Sequence, residues 1–98
     1  MKNIEYLVMV EAVENLYLAR KEYQEYIDAR DVQGALSYKK NYLDVFSRRW
    51  NDAKDVLRAK YPDDKQYMEV LRDATNEGEC EGETTYLMNK ERRRTSWK

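Results

Sequence analysis

The stretch LARKEYQEYIDARDVQGALSYKK, residues 18–40, decides how this chain folds, because one helical pattern ends in it and another begins. Asp31 suits a helix N-cap, since its carboxylate can accept hydrogen bonds from backbone amides two or three residues later. We expect a bend near this residue, between a helix of about residues 3–30 and a helix of about residues 32–60. So short a bend makes the two helices antiparallel neighbours.

Apolar side chains recur at helical spacing on both sides of the bend. The first helix carries them at Tyr6, Met9, Val13, Leu16, Tyr23 and Ile27, and the second at seven-residue spacing, at Leu36, Leu43, Trp50 and Leu57. The chain has three glycines and one proline, too few for the tight turns that β-hairpins need. The sequence therefore predicts an all-α fold built on a long antiparallel helical hairpin.

A third, short helix is predicted after the proline, over about residues 64–75, and we expect it to pack on the open end of the hairpin. Asp63 and Asp64 place carboxylates at its positive end, and Gly78 is expected to help stop it. The predicted organisation is a helical domain of residues 1–76. An acidic loop and a basic, partly ordered charged C-terminal tail follow over residues 77–98.

Two positive charges occupy positions where the helical pattern asks for apolar side chains. At about 100° per residue, Arg20 falls in the middle of the apolar face of the first helix, and Lys39 in the middle of that of the second. Both lie at nearly the same distance from the bend, so we expect them side by side in the seam. The tyrosines that flank this charged layer are Tyr17, Tyr23, Tyr38 and Tyr42.

Burying unpaired charges is unfavourable, so this layer needs water or a counter-charge. In one interpretation the two side chains lift their charges into water or reach local acids such as Glu22, Glu25 or Asp44. In the other, the layer binds a carboxylate or a phosphate, because arginine and lysine suit oxyanions and tyrosine rings can stack on a base.

Each long helix also carries a second apolar stripe on its flank. On the second helix the stripe is Tyr38, Tyr42, Val45 and Val56, with Arg49 among them, and on the first it is Val8, Ala12, Ala19 and Tyr26. We expect the third helix to cover Val56, and the rest to be covered by self-association, by a protein partner or by the tail.

Catalysis has little support in the sequence, and no cofactor or metal is predicted. The chain has no histidine, the commonest general base and transition-metal ligand. Cys80 lies between Glu79 and Glu81, whose charge disfavours a thiolate. No motif for phosphate or dinucleotide binding is present.

These features predict a non-catalytic protein that binds another protein, as an adaptor or inhibitor, and self-associates as a homo-oligomer. A small chain of this kind would suit a virus-encoded inhibitor of a host factor. We expect a cytoplasmic protein without a membrane span, because the longest apolar run is short and no export signal is recognisable. The alternative is a nucleotide or nucleic acid bound through Arg20 and Lys39 or through the basic tail. The tail residues concerned are Arg92, Arg93, Arg94 and Trp97.

Overall fold

The computed structural model describes residues 3–95, which form helices joined by short turns, with no strand among them. The helices are α1 (Ile4–Asp28), α2 (Val32–Tyr38), α3 (Asp44–Lys60) and α4 (Asp64–Thr95), and a π-helical turn, Lys39–Leu43, joins α2 to α3. Backbone angles stay helical across both ends of the π turn, so α2, the π turn and α3 form one continuous arm. The predicted all-α class and the hairpin are confirmed.

The bend between α1 and α2 is a helix C-cap followed directly by a helix N-cap. Arg30 adopts a left-handed conformation with φ of 60°. Its N–H donates to the carbonyl of Ile27, and the N–H of Asp31 donates to that of Tyr26, the hydrogen-bond pattern of a Schellman motif. The Asp31 carboxylate accepts from the N–H of Gly34 at 2.9 Å, as the sequence predicted.

The π turn changes which residues of α2 face α1. The N–H of Asp44 donates to the carbonyl of Lys39, five residues earlier, so the arm contains one residue more than an α-helix would need. One extra residue rotates everything before it by about 100°. Ala35 is therefore buried, whereas Leu36, predicted to lie in the seam, is 56% exposed.

The predicted end of the third helix near residue 75 is wrong, because α4 continues to Thr95. Gly78 and Gly82 are buried against α1 and do not stop the helix. A methyl group added at Gly78 would lie 2.6 Å from Cβ of Val13, and one added at Gly82 would lie 2.8 Å from the Tyr17 ring. The predicted acidic loop is therefore helical, since its glycines allow close approach between helices and tertiary contact overrides their low helix propensity.

α4 runs parallel to α1 and lies along almost its whole length. The Tyr6 hydroxyl donates to the Glu77 carboxylate at 2.6 Å near one end. The Tyr86 hydroxyl donates to the Glu25 carboxylate at 2.8 Å near the other. α1 is thus the central helix, with α4 on one side and the α2–α3 arm on the other, and the molecule is flat, at 50 × 28 × 17 Å.

The main hydrophobic core lies at the end of the molecule opposite the bend, where α3 and α4 both reach α1. Its buried members are Met9, Val10, Val13, Ala53, Leu57 and Ala74. Beyond this core α3 and α4 diverge and have little contact with each other. No helix within residues 3–95 is both long enough and apolar enough to cross a membrane.

We expect Gly78→Ala to destabilise the protein by roughly 1–2 kcal/mol. Overpacking against the backbone of Val10 and against Val13 costs more than the gain of about 1 kcal/mol in helix propensity. Urea denaturation followed by circular dichroism measures the change. Asn76→Ala, at an exposed position of the same helix, is the control and should change stability by no more than about 0.5 kcal/mol. An increase in stability from Gly78→Ala would contradict this packing.

Candidate functional site

Arg20 and Lys39 form no buried layer, and their charges reach solvent as the first of the two interpretations predicted. Both side chains are exposed, and none of the polar or charged side chains described is buried. The π turn rotates Lys39 away from the seam, and its Nζ lies 3.1 Å from Oδ1 of Asp44. Arg20 borders a small cleft with Trp50 and Glu79, at the level where α3 and α4 diverge, so no helix covers it. Pairing with a local acid, the first of the two interpretations, is what Lys39 does.

The four tyrosines expected around that layer lie in different parts of the molecule. Tyr17 packs beneath Gly82 in the interface with α4, with the Lys21 ammonium 5.4 Å from the centre of its ring. Tyr23 is half-buried on α1. Tyr38 and Tyr42 lie on the opposite side of α1 from α4, so the four rings do not form one site.

Tyr38 is the centre of a three-ring cluster. Its ring centroid lies 5.6 Å from that of Tyr26 and 5.0 Å from that of Tyr42, on which it stacks. Its hydroxyl donates to Oε2 of Glu22 at 2.9 Å. Burial, this hydrogen bond and the Glu22 charge together raise the pKa of Tyr38 above its ordinary value. Tyr42, at the edge of the cluster, is 52% exposed.

A continuous groove runs along α1 on the side away from α4, and we call it the α1–arm groove. Its first part, the valine lobe, lies between α1 and α3 and encloses about 280 Å³. Its second part, the tyrosine lobe, lies between α1 and the region of the π turn and encloses about 480 Å³. Asn15 and Phe46 line both lobes and join them. The two flank stripes predicted on separate helices are thus largely the two walls of one groove.

The groove stays open because α4 packs on the other side of α1. The expectation that the third helix covers Val56 is wrong, since this side chain is 50% exposed in the valine lobe. Val8, facing it from α1, is 43% exposed. The structure therefore leaves apolar side chains of both helices accessible along one surface.

Three charged side chains lie in the valine lobe. The guanidinium carbon of Arg49 lies 5.5 Å from the centre of the Phe46 ring, near the junction of the lobes. Glu11 and Asp52 supply carboxylates at the two walls. In the tyrosine lobe the charged lining residue is Glu22. Among the described side chains, Arg49 is the cation singled out from the sequence that lines this groove.

The basic tail is helical up to Thr95 and partly paired with α1. Arg92 and Arg93 are exposed on the last turns of α4, and Arg93 lies 3.7 Å from the Glu25 carboxylate. Arg94 belongs to the same helix, and Trp97 lies outside the described residues. Up to Thr95 the basic tail is therefore part of α4 and does not form a separate segment.

No metal site adds to the groove within residues 3–95. Cys80 is exposed on α4, and no cluster of acidic, cysteine or histidine side chains in the described chain is arranged to hold a metal ion. Comparison of the chain with models of protein families, with curated proteins and with solved structures found no match.

Sequence reasoning missed Phe46, Asn15 and Glu22 as members of the groove. Phe46 fits the seven-residue seam pattern of the second helix, and the π turn interrupts that pattern just before it. Asn15 and Glu22 are polar residues on the flank of α1, and a search for apolar stripes passes over them. Asn15 lies three residues after Ala12 and four before Ala19, and this helical spacing could have placed it on the same face of α1.

We expect the folded state to lose stability as the pH rises above about 10, the ordinary pKa of tyrosine. A hydrogen bond to Glu25 raises the pKa of Tyr86. Burial and a hydrogen bond to Glu22 raise the pKa of Tyr38. The folded state therefore favours the protonated form of both tyrosine hydroxyls, and at high pH unfolding is accompanied by the loss of these protons. Urea titrations from neutral to strongly alkaline pH should show this loss, and the double change Tyr38→Phe with Tyr86→Phe should reduce it. The same decline in both proteins would contradict the assignment.

Proposed function

We propose that this chain is a non-catalytic protein-binding module, an adaptor or an inhibitor, that holds its partner in the α1–arm groove. The observation that carries the proposal is the continuity of the groove across two helices, with Val8, Tyr42 and Val56 accessible in it. Exposed contiguous apolar surface is typical of interaction sites. A groove between two helices is also a common receptor for an amphipathic helix.

The residue types in the groove favour protein over small-molecule binding. Aromatic and arginine side chains, here Tyr38, Tyr42, Phe46 and Arg49, dominate the energetics of many protein interfaces. From Val8 to Tyr26 the groove follows α1 for about 27 Å, at about 1.5 Å per residue. That length matches about five turns of a partner helix.

An anionic ligand, the alternative function, has less support. Arg20 and Lys39 are both exposed; Arg20 borders a cleft with Trp50 and Glu79, and Lys39 pairs with Asp44. Near the end of α4, Arg93 lies close to the Glu25 carboxylate, which would repel a phosphate. We therefore place the function in the groove.

The proposal predicts that changes in the groove remove a native complex and leave the fold intact. Tagged chain would be recovered from its own cells, and the mass of the intact complexes measured. The combined change Tyr42→Ala and Val56→Ser should lower recovery at least about ten-fold, because each side chain contributes on the order of 1 kcal/mol at an interface. Circular dichroism checks that the helical content is unchanged.

The matched control is Met68→Glu, a change of an exposed apolar residue on α4, outside the groove. It should recover the same complex as the unmodified chain. Equal recovery with the groove variant, or recovery of the unmodified chain only as a monomer, would refute the proposal.

A further inference from the structure

Carboxylates outnumber cations among the described side chains that line the α1–arm groove. Glu11 and Asp52 lie on the two walls of the valine lobe, and Glu22 lines the tyrosine lobe. Against these three carboxylates stands the guanidinium of Arg49, which lies beside the Phe46 ring. The groove is therefore negatively charged, although the net charge of the whole chain is only −1.

The carboxylates of the groove are available to a partner. Glu11 and Asp52 are exposed, and within residues 3–95 neither side chain forms an ion pair or a hydrogen bond, with Arg49 or with any other group. Glu22 is exposed too, and it accepts one hydrogen bond, from the Tyr38 hydroxyl. A carboxylate has about four acceptor positions, so Glu22 can also accept from a partner.

The acidic side chains border an apolar floor. Val8 and Val56 are about half exposed in the valine lobe, and so is the Tyr42 ring in the tyrosine lobe. A small cation would leave this apolar surface uncovered, and the carboxylates would repel a phosphate-bearing partner. A partner that carries cations beside an apolar stripe satisfies both parts of the groove.

The carboxylates on the α1 wall have the spacing of a helix surface. Glu22 follows Glu11 by eleven positions, which is three helical turns, so both lie on the same face of α1, roughly 16 Å apart along its axis. A partner helix laid along the groove meets both carboxylates when its cations recur at the same spacing. The groove has room for about five turns of such a helix, or about 18 residues.

We infer that the occupant of the α1–arm groove is a basic amphipathic helix of a different protein. Its apolar stripe lies on the valines and tyrosine rings, and its lysine or arginine side chains pair with Glu11, Asp52 and Glu22. This inference rests on the proposed function, since it names the class of partner that the same groove holds. Basic amphipathic helices are common ligands of helix-binding grooves. A second copy of the groove is the wrong occupant, because it would place carboxylates against carboxylates.

Titration of the purified chain with three synthetic peptides of about 18 residues tests the inference. The basic probe is an amphipathic helix of leucine and lysine, and the acidic probe has glutamate in place of every lysine. The scrambled probe has the composition of the basic one but no apolar face. Fluorescence anisotropy of the labelled peptides should give a micromolar Kd for the basic probe, at least about ten-fold tighter than for either of the others.

The double change Glu11→Lys and Asp52→Lys should weaken binding of the basic probe at least about ten-fold, because it turns two attractive charges into repulsive ones. The matched control is Glu69→Lys with Glu83→Lys, which makes the same change of net charge at exposed positions of α4, outside the groove. It should bind the basic probe like the unmodified chain. Circular dichroism checks that the helical content of both variants is unchanged.

Glu22→Gln is a second variant, and it keeps an acceptor for the Tyr38 hydroxyl. It should weaken binding of the basic probe about two- to three-fold, since one attractive charge is lost without a repulsive one taking its place.

The inference would be overturned if the basic probe fails to bind at up to about 500 µM, or if the acidic probe binds as tightly. Unchanged binding by the Glu11→Lys, Asp52→Lys variant would also overturn it. So would sedimentation of the unmodified chain at twice the monomer mass, abolished by Val56→Glu, because a second copy would then fill the groove. In each case a groove-dependent complex recovered from cells would leave the proposed function standing.

Discussion

The arrangement of this protein depends on the close contact of α4 with α1 at Gly78. Without a side chain at this position, α4 lies directly against the Val10 carbonyl and the Val13 side chain. The contact fixes α4 on one side of α1 along nearly its full length, with the α2–α3 arm on the other. α1 therefore has only one covered flank beyond the core, and the groove beside the arm remains open to solvent.

The π turn decides what this groove contains at its other end. The turn adds one residue before Asp44, so Lys39 faces solvent and Tyr38 packs against α1. There the Tyr38 hydroxyl donates a hydrogen bond to the Glu22 carboxylate. Tyr42 stacks on Tyr38 and completes the tyrosine lobe. π turns are uncommon in helices and often occur at functional positions, because they change the direction of a few side chains without breaking the helix.

The sequence predicts the bend, the Asp31 cap and the hairpin because these depend on local chemistry and on periodicity within one helix. It also shows the two apolar stripes, whose residues form most of the groove. It does not reveal the π turn, which depends on tertiary packing, and a strict seven-residue pattern therefore misplaces Leu36 and Lys39. It also misreads Gly78 as a helix stop and the segment that contains Gly82 as a loop, since the role of these glycines appears only against Val13 and Tyr17 of another helix.

The most direct test of this account is a nuclear Overhauser measurement of the contacts between α1 and α4 within one chain. The account predicts contacts from the Hα protons of Gly78 to the Val13 side chain, since α4 lies directly against α1 at this position. Contacts from α4 to Val8 or Val56 in place of these, with the groove covered, would contradict it.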